Sequence, residues 1–206
     1  MTINEIRALL YTSQCQIVDP HTPVTELCYD SRQVKRPSET LFFAFKTDRN
    51  DGHRYIPDLL DKGVRHFVVT TPPDCWTGLS EHQRETLGAS DIFVVEDPLC
   101  ALQAIATAHR QQFHMPTIGI TGSNGKTIVK EWLANMLAED KHVTASPDSY
   151  NSQIGVPLSV WQLHKQTDIA VFEAGISKPD EMQRLADIIR PTMGILTNIG
   201  AAHARF

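Results

Sequence analysis

Apolar positions recur along this chain with two periods, and the switch between them marks its elements. Ile3, Ile6, Leu9 and Leu10 sit at helical spacing and predict a short amphipathic helix over 1–10. Two strand-like runs follow, at 24–30 and 41–45, separated by the turn-prone Arg36-Pro37-Ser38. Residues 56–62 fit a helix stopped by Gly63, and His66-Phe67-Val68-Val69 reads as a strand ending at Thr70. A loop carrying Pro72, Pro73 and Gly78 then leads to a strand at 92–95. Residues up to about 97 therefore form a small α/β unit.

From Pro98 a helical face of Leu99, Leu102, Ile105, Ala106, His109 and Phe113 runs to Met115-Pro116, where proline forbids continuation. Strands and helices alternate beyond it. Strands are expected at 117–120, 143–145, 169–172 and 194–197, and helices at 125–138, 154–163 and 179–189. The helix at 125–138 would turn one stripe of Val129, Trp132, Leu133, Met136 and Leu137 inward. Alternation of this kind means βαβ units and a parallel sheet covered on both faces. The expected class is α/β, with domains at 1–112 and 113–206.

Composition narrows the field. The 206 residues are 41% hydrophobic, enough for one large core or two modest ones. Lys+Arg 19 against Asp+Glu 24 gives a net charge of -5, which argues against a broad nucleic-acid face. No apolar run reaches the ~18–20 residues that span a bilayer, and the start lacks a basic and apolar leader. A cytoplasmic, non-membrane protein is expected. The 4 cysteines lie far apart without a C-x-x-C pair and are expected to be reduced thiols.

The most informative stretch is Ile118-Gly119-Ile120-Thr121-Gly122-Ser123-Asn124-Gly125-Lys126-Thr127. An apolar strand enters a turn with two glycines, then Lys-Thr, then a helix. Gly122 and Gly125 let several N–H groups converge, and the helix start adds partial positive charge, the makings of a polyphosphate site. Lys126 would neutralise the β/γ-phosphates of ATP and the Thr127 hydroxyl would ligate Mg²⁺. The general loop pattern wants glycine where Ile120 stands, so the match is to the shorter G-x-x-G-K-T form. A metal needs a second ligand, and Glu173 closes the apolar strand that starts at Ile169. The plain alternative for Glu173 is an ordinary exposed glutamate at a strand end. His203 follows the next strand and would reach the same edge.

Three stretches together resemble the Mur ligases, which add amino acids to the UDP-linked peptidoglycan precursor. They are Tyr29-Asp30-Ser31-Arg32 with Asp51-Gly52-His53, the loop 121–127, and Thr197-Asn198-Ile199-Gly200 with His203. Val129-Lys130-Glu131-Trp132, the run Asn151 to Leu158, and Phe172-Glu173-Ala174-Gly175 narrow the likeness to the branch that joins D-alanyl-D-alanine to UDP-N-acetylmuramoyl-tripeptide. The branch more often has two asparagines where Asn151-Ser152 stands, and Glu-Met-Gly-Ala-Asn where Glu173-Ala174-Gly175-Ile176-Ser177 stands. These variants look like the form fused to an alanine racemase.

The resemblance implies a small N-terminal substrate domain followed by a truncated ATP-binding domain. It implies that Gly122, Ser123, Asn124, Gly125 and Lys126 cradle the triphosphate. Thr127, Glu173 and His203 would hold Mg²⁺, and Asn151 would approach the γ-phosphate. Ser31 and Arg32 would help bind the UDP-sugar beside Asp51, Gly52 and His53. A carbamylated lysine and a third domain would lie past Phe206, so the chain is expected to be a monomeric fragment without turnover. A folylpolyglutamate synthetase and a non-catalytic nucleotide-sugar-binding module are the competing readings.

Overall fold

The computed structural model describes residues 1–176, 178 and 180–200. The chain divides into two compact units, Met1–Ile105 and Ala106–Phe206.

In the first unit Thr2 caps helix α1 (Ile3–Leu9) through a reciprocal box with Glu5. The strands are β1 (Gln14–Gln16), β2 (Glu26–Cys28), β3 (Thr40–Phe43), β4 (His66–Val69) and β5 (Asp91–Val94), in the order β1-β5-β4-β3-β2. β2 to β5 run parallel and β1 pairs antiparallel with β5. Helices α2 (Ile56–Asp61) and α3 (Glu81–Gly88) bury Ile56, Leu59, Leu60 and Leu87 in a core with Phe42, Phe67 and Ile92. β1 and α3 lie outside the sequence expectations. β1 is a polar edge strand, and α3 turns only Thr86 and Leu87 inward, so neither has an apolar period to read.

Helix α4 (Pro98–Arg110) ends five residues before Met115, sooner than the apolar face implied. The second unit continues β6 (Thr117–Thr121), α5 (Lys126–Leu137), β7 (Val143–Ala145), α6 (Gly155–Val160), β8 (Ile169–Glu173), α7 (Glu181–Ile189) and β9 (Met193–Leu196). Its four strands are all parallel in the order β7-β8-β6-β9. Side chains along β8 alternate between two cores, as the strand pleat requires. Ala170 and Phe172 pack with Val156, Val160 and Leu185 from α6 and α7. Ile169 and Val171 pack on the other face with Val129, Leu133 and Leu137 of α5.

One expectation is corrected here. Trp132 and Met136 are not inward: they are 68% and 72% exposed, and Ile128 shares their side of α5. The inward arc of α5 is centred on Val129, Leu133 and Leu137, and its flank carries the buried Lys130 instead. At the edge of the described sheet, Met193 and Leu196 of β9 are about half exposed.

Candidate nucleotide site

The strand order creates the site. β6 feeds α5 onto one face of the sheet and β8 feeds α7 onto the other, so a crevice opens between the carboxyl ends of these neighbouring strands. Register sets Ile120 beside Glu173, so the strand-end carboxylate lies next to the turn that follows β6. A cavity of about 420 Å³ opens there, lined among others by Gly122, Ser123, Lys126, Asn151, Gly175 and Asn198.

The turn has the backbone its glycines permit. Gly122 and Gly125 both hold positive φ, at 136° and 79°, and Gly125 is the N-cap of α5. At Gly122 a Cβ would come within 2.2 Å of Thr197 Oγ1, so only glycine fits. The chain after β9 braces the turn. Ser123 N–H donates to Asn198 O at 3.0 Å, Asn124 N–H to Asn198 Oδ1 at 2.9 Å, and Thr197 Oγ1 to Asn124 O at 2.6 Å. Ser123 Oγ also accepts from Gly200 N at 2.9 Å. Lys126 folds back so that Nζ donates to Gly122 O at 2.7 Å, over the mouth of the turn.

Glu173 is 1% exposed, which removes the reading of an ordinary surface glutamate. Its Oε2 accepts from Thr127 Oγ1 at 2.8 Å and its Oε1 from Asn151 Nδ2 at 2.6 Å. Its own N–H donates to Ser146 Oγ at 3.1 Å. Asn151 thus turns its side-chain amide to the carboxylate, while its backbone carbonyl accepts from Gly175 N at 2.8 Å. A Cβ on Gly175 would press to 3.1 Å from Asn151 Cγ, which ties these two motifs together.

These donors fit Mg²⁺. Adjacent ligand oxygens of an octahedral ion with bonds of 2.0–2.1 Å lie about 2.9 Å apart. The 2.8 Å between Thr127 Oγ1 and Glu173 Oε2 is an ordinary hydrogen-bond length, and at that separation both oxygens could also reach one such ion. Among the described residues no three His, Cys, Asp or Glu side chains cluster as a metal cage. One carboxylate and one hydroxyl, completed by phosphate and water, is how Mg²⁺ is commonly held. His203 lies outside the described residues.

The two motifs of the first unit also meet at one sheet edge, because β2 and β3 are parallel. After β2, Arg32 forms a two-point pair with Asp30, Nε to Oδ1 at 2.9 Å and Nη2 to Oδ2 at 2.7 Å, while 86% of its side chain stays exposed. The Arg32 fork lowers the Asp30 pKa to about 2. The Ser31 carbonyl accepts from Lys62 Nζ at 3.0 Å. After β3, Gly52 sits where a Cβ would lie 2.9 Å from Ala44 Cα. Asp51 Oδ1 accepts from the His53 ring at 2.6 Å, and His53 Nε2 accepts from Thr70 N at 3.1 Å. Burial works to raise the Asp51 pKa, but hydrogen bonds from the His53 backbone and ring outweigh it and hold it low. His53 spends both ring nitrogens inside the fold, so it shapes this loop.

Two residues that contact the candidate site carry no role in the sequence reading: Ser146, which accepts from Glu173 N, and Asn198, which accepts from the turn. Asn198 stands in one of the quoted motifs, but the contacts of both residues are long-range and no local spacing shows them.

Residues 120–206 match the model of the Mur ligase middle domain. The chain is 37% identical over 180 residues to a UDP-N-acetylmuramoyl-tripeptide--D-alanyl-D-alanine ligase of Synechocystis, covering 87% of this chain. It is 31% identical over 186 residues to the enzyme of the same name from Bacillus subtilis, covering 88% of this chain. In both cases the chain spans 37% of the relative's length. Among solved structures, MurF from Acinetobacter baumannii superposes with a TM-score of 0.82 at 26% identity, over 98% of this chain and 42% of that one. The MurF ligase of Thermotoga maritima in complex with ADP gives a TM-score of 0.71 at 30% identity, over 90% of this chain and 39% of that one. A glycine turn, a carboxylate set against it and these likenesses agree: the chain belongs to the Mur ligase family.

Proposed function

We propose that this chain supplies the UDP-substrate unit and the phosphate-binding turn of an ATP-dependent amide ligase. The reaction is the joining of D-alanyl-D-alanine to UDP-N-acetylmuramoyl-tripeptide in the cytoplasm. The observation that carries the reading is the buried Glu173 carboxylate held 2.8 Å from Thr127 at the mouth of a Gly122–Lys126 turn. The likeness to a relative solved with ADP supports it.

A carboxylate is a poor acyl donor. The tripeptide carboxylate attacks the γ-phosphorus of ATP, giving an acyl phosphate and ADP. The amine of D-alanyl-D-alanine then attacks the acyl carbon, an amide forms, and phosphate leaves. The difficulty of the first step is the meeting of two anions, so the residues answer mainly with charge and position.

The backbone N–H groups that open α5 receive the triphosphate, those of Ser123 and Asn124 being bonded to Asn198. Lys126 exchanges the Gly122 carbonyl for a phosphate oxygen, which places its charge where negative charge builds. Thr127 and Glu173 are the residues to hold Mg²⁺, which when bound compensates charge on the β- and γ-phosphates. Asn151 keeps the Glu173 carboxylate turned toward Thr127. In the first unit Ser31 and Arg32 present donors to the UDP-sugar, and Asp51, Gly52 and His53 fix the neighbouring loop.

Thermal-shift measurements with Mg·ATP and with a uridine nucleotide sugar test both halves. Each is expected to raise the melting temperature; a ligand at 100 times its Kd contributes about 2.7 kcal/mol. Stabilisation by a folyl ligand with no response to the uridine nucleotide would contradict the reading.

A further inference from the structure

Lys130 is buried, 1% exposed, and the phosphate chemistry above makes no use of it. An ammonium out of water is tolerated when its protons all find acceptors. Here Nζ donates to Ser146 O at 2.8 Å and Asp148 O at 2.5 Å, and pairs with Glu131 Oε1 at 2.8 Å. Two of these three partners are backbone carbonyls of the segment that follows β7. That segment is bent sharply, with Asp148 at φ 43°.

The same segment carries the contacts that orient Glu173. Ser146 Oγ accepts from Glu173 N, and Asn151 Nδ2 donates to Glu173 Oε1. Lys130 stands three residues after Thr127, so both face one side of α5. One helical turn thus holds the hydroxyl of the cation site at its start and, through Lys130, grips the segment that aims the carboxylate.

We infer that Lys130 is a positioning residue: by clamping 146–148 against α5, it sets Ser146 and Asn151 so that Glu173 faces Thr127 at the spacing a divalent cation requires. The inference rests on the reading of Thr127 and Glu173 as the Mg·nucleotide site. Residues that orient a ligand without touching the metal commonly change metal affinity 10–100-fold when replaced.

The test is a calorimetric titration of ADP into the 206-residue chain, in Mg²⁺ and again in EDTA. For Lys130→Met the affinity in EDTA should stay within about twofold of wild type, while the gain given by Mg²⁺ drops at least ~10-fold. Lys130→Arg keeps the charge, but its planar fork does not place one atom on both carbonyls, so an intermediate gain is expected. A full Mg²⁺ gain in both variants would overturn the inference. Loss of the fold in both, seen by circular dichroism, would also overturn it, since Lys130 would then support the whole unit and not the site. If wild type itself shows no Mg²⁺ gain, the underlying reading of the site fails first.

Discussion

The Thr127 hydroxyl donates to Glu173 Oε2 at 2.8 Å although 46 positions separate the two residues. One opens α5 and the other closes β8, and they meet because β8 lies beside β6 in the order β7-β8-β6-β9. Strand order, and not local sequence, brings the carboxylate to the glycine turn.

The first consequence concerns Lys126, whose amine bonds the Gly122 carbonyl at 2.7 Å. Lys126→Met should weaken ATP and ADP binding by about 1.5–3 kcal/mol, the range for a hydrogen bond to a charged group. Stability should change little, because that carbonyl lies on a half-exposed turn open to water. Nucleotide titration alongside urea denaturation separates the two effects.

The two turn glycines should respond differently to alanine. Gly122→Ala drives a Cβ into Thr197 Oγ1 and to 2.9 Å from Asn198 O, on top of an unfavourable φ. It should cost several kcal/mol of stability and abolish nucleotide binding. Gly125→Ala meets nothing within 4 Å and carries only the left-handed backbone penalty, about 1–2 kcal/mol. Equal losses in denaturant midpoints would contradict this contrast.

Arg110 is 5% exposed and has backbone and hydroxyl partners in place of a carboxylate. It donates to Ile189 O, Phe113 O and Thr117 Oγ1, each at 2.7 Å, and to Arg190 O at 3.2 Å. Burial, with the charge of Arg190, lowers its pKa, but the carbonyls at the end of α7 offer it partial negative charge. Arg110→Met should cost about 2–4 kcal/mol by stranding these acceptors. Arg110→Lys should recover only part, since one ammonium does not reach all four. Chemical denaturation of the three proteins checks the order.

Stability should also fall in mild acid through His109. Burial lowers its pKa, outweighing the bond from its ring to Leu163 O at 3.0 Å. The unfolded chain therefore takes up the proton first, with an unperturbed pKa of about 6.5. The contribution is complete above that pH and declines as pH falls from it toward the lower folded value. His109→Gln should flatten this window, seen as a wild-type-minus-variant stability difference that shrinks as the pH falls below about 6.5.

Much of the second unit is legible in the sequence because its strands are apolar runs bounded by glycine and proline. The turn at 121–127 is legible for a related reason, since its geometry demands glycine at Gly122 and Gly125 and chemistry demands Lys126. β1 and α3 escape that kind of reading: one is a polar strand made by pairing with β5, the other a mostly exposed helix. The Ser80 and Gln83 box that starts α3 is nevertheless a local signal in the sequence. Ile128, Trp132 and Met136 show the opposite failure, apolar residues that face outward. Periodicity does not fix how a helix is rotated; here the inward arc runs through Val129, Leu133 and Leu137, with Lys130 buried beside it. The orienting contacts of Ser146, Asn151 and Asn198 run to residues far away in sequence, and no spacing rule encodes them.

The most direct measurement of the site is ADP affinity in Mg²⁺ and in EDTA for wild type and Glu173→Gln. The substitution keeps the shape and an acceptor for Thr127 but removes the charge. Mg²⁺ should tighten binding at least ~10-fold in wild type and scarcely at all in the variant. An equal Mg²⁺ gain in both proteins would contradict the assignment of Glu173 as the carboxylate of a metal–nucleotide site.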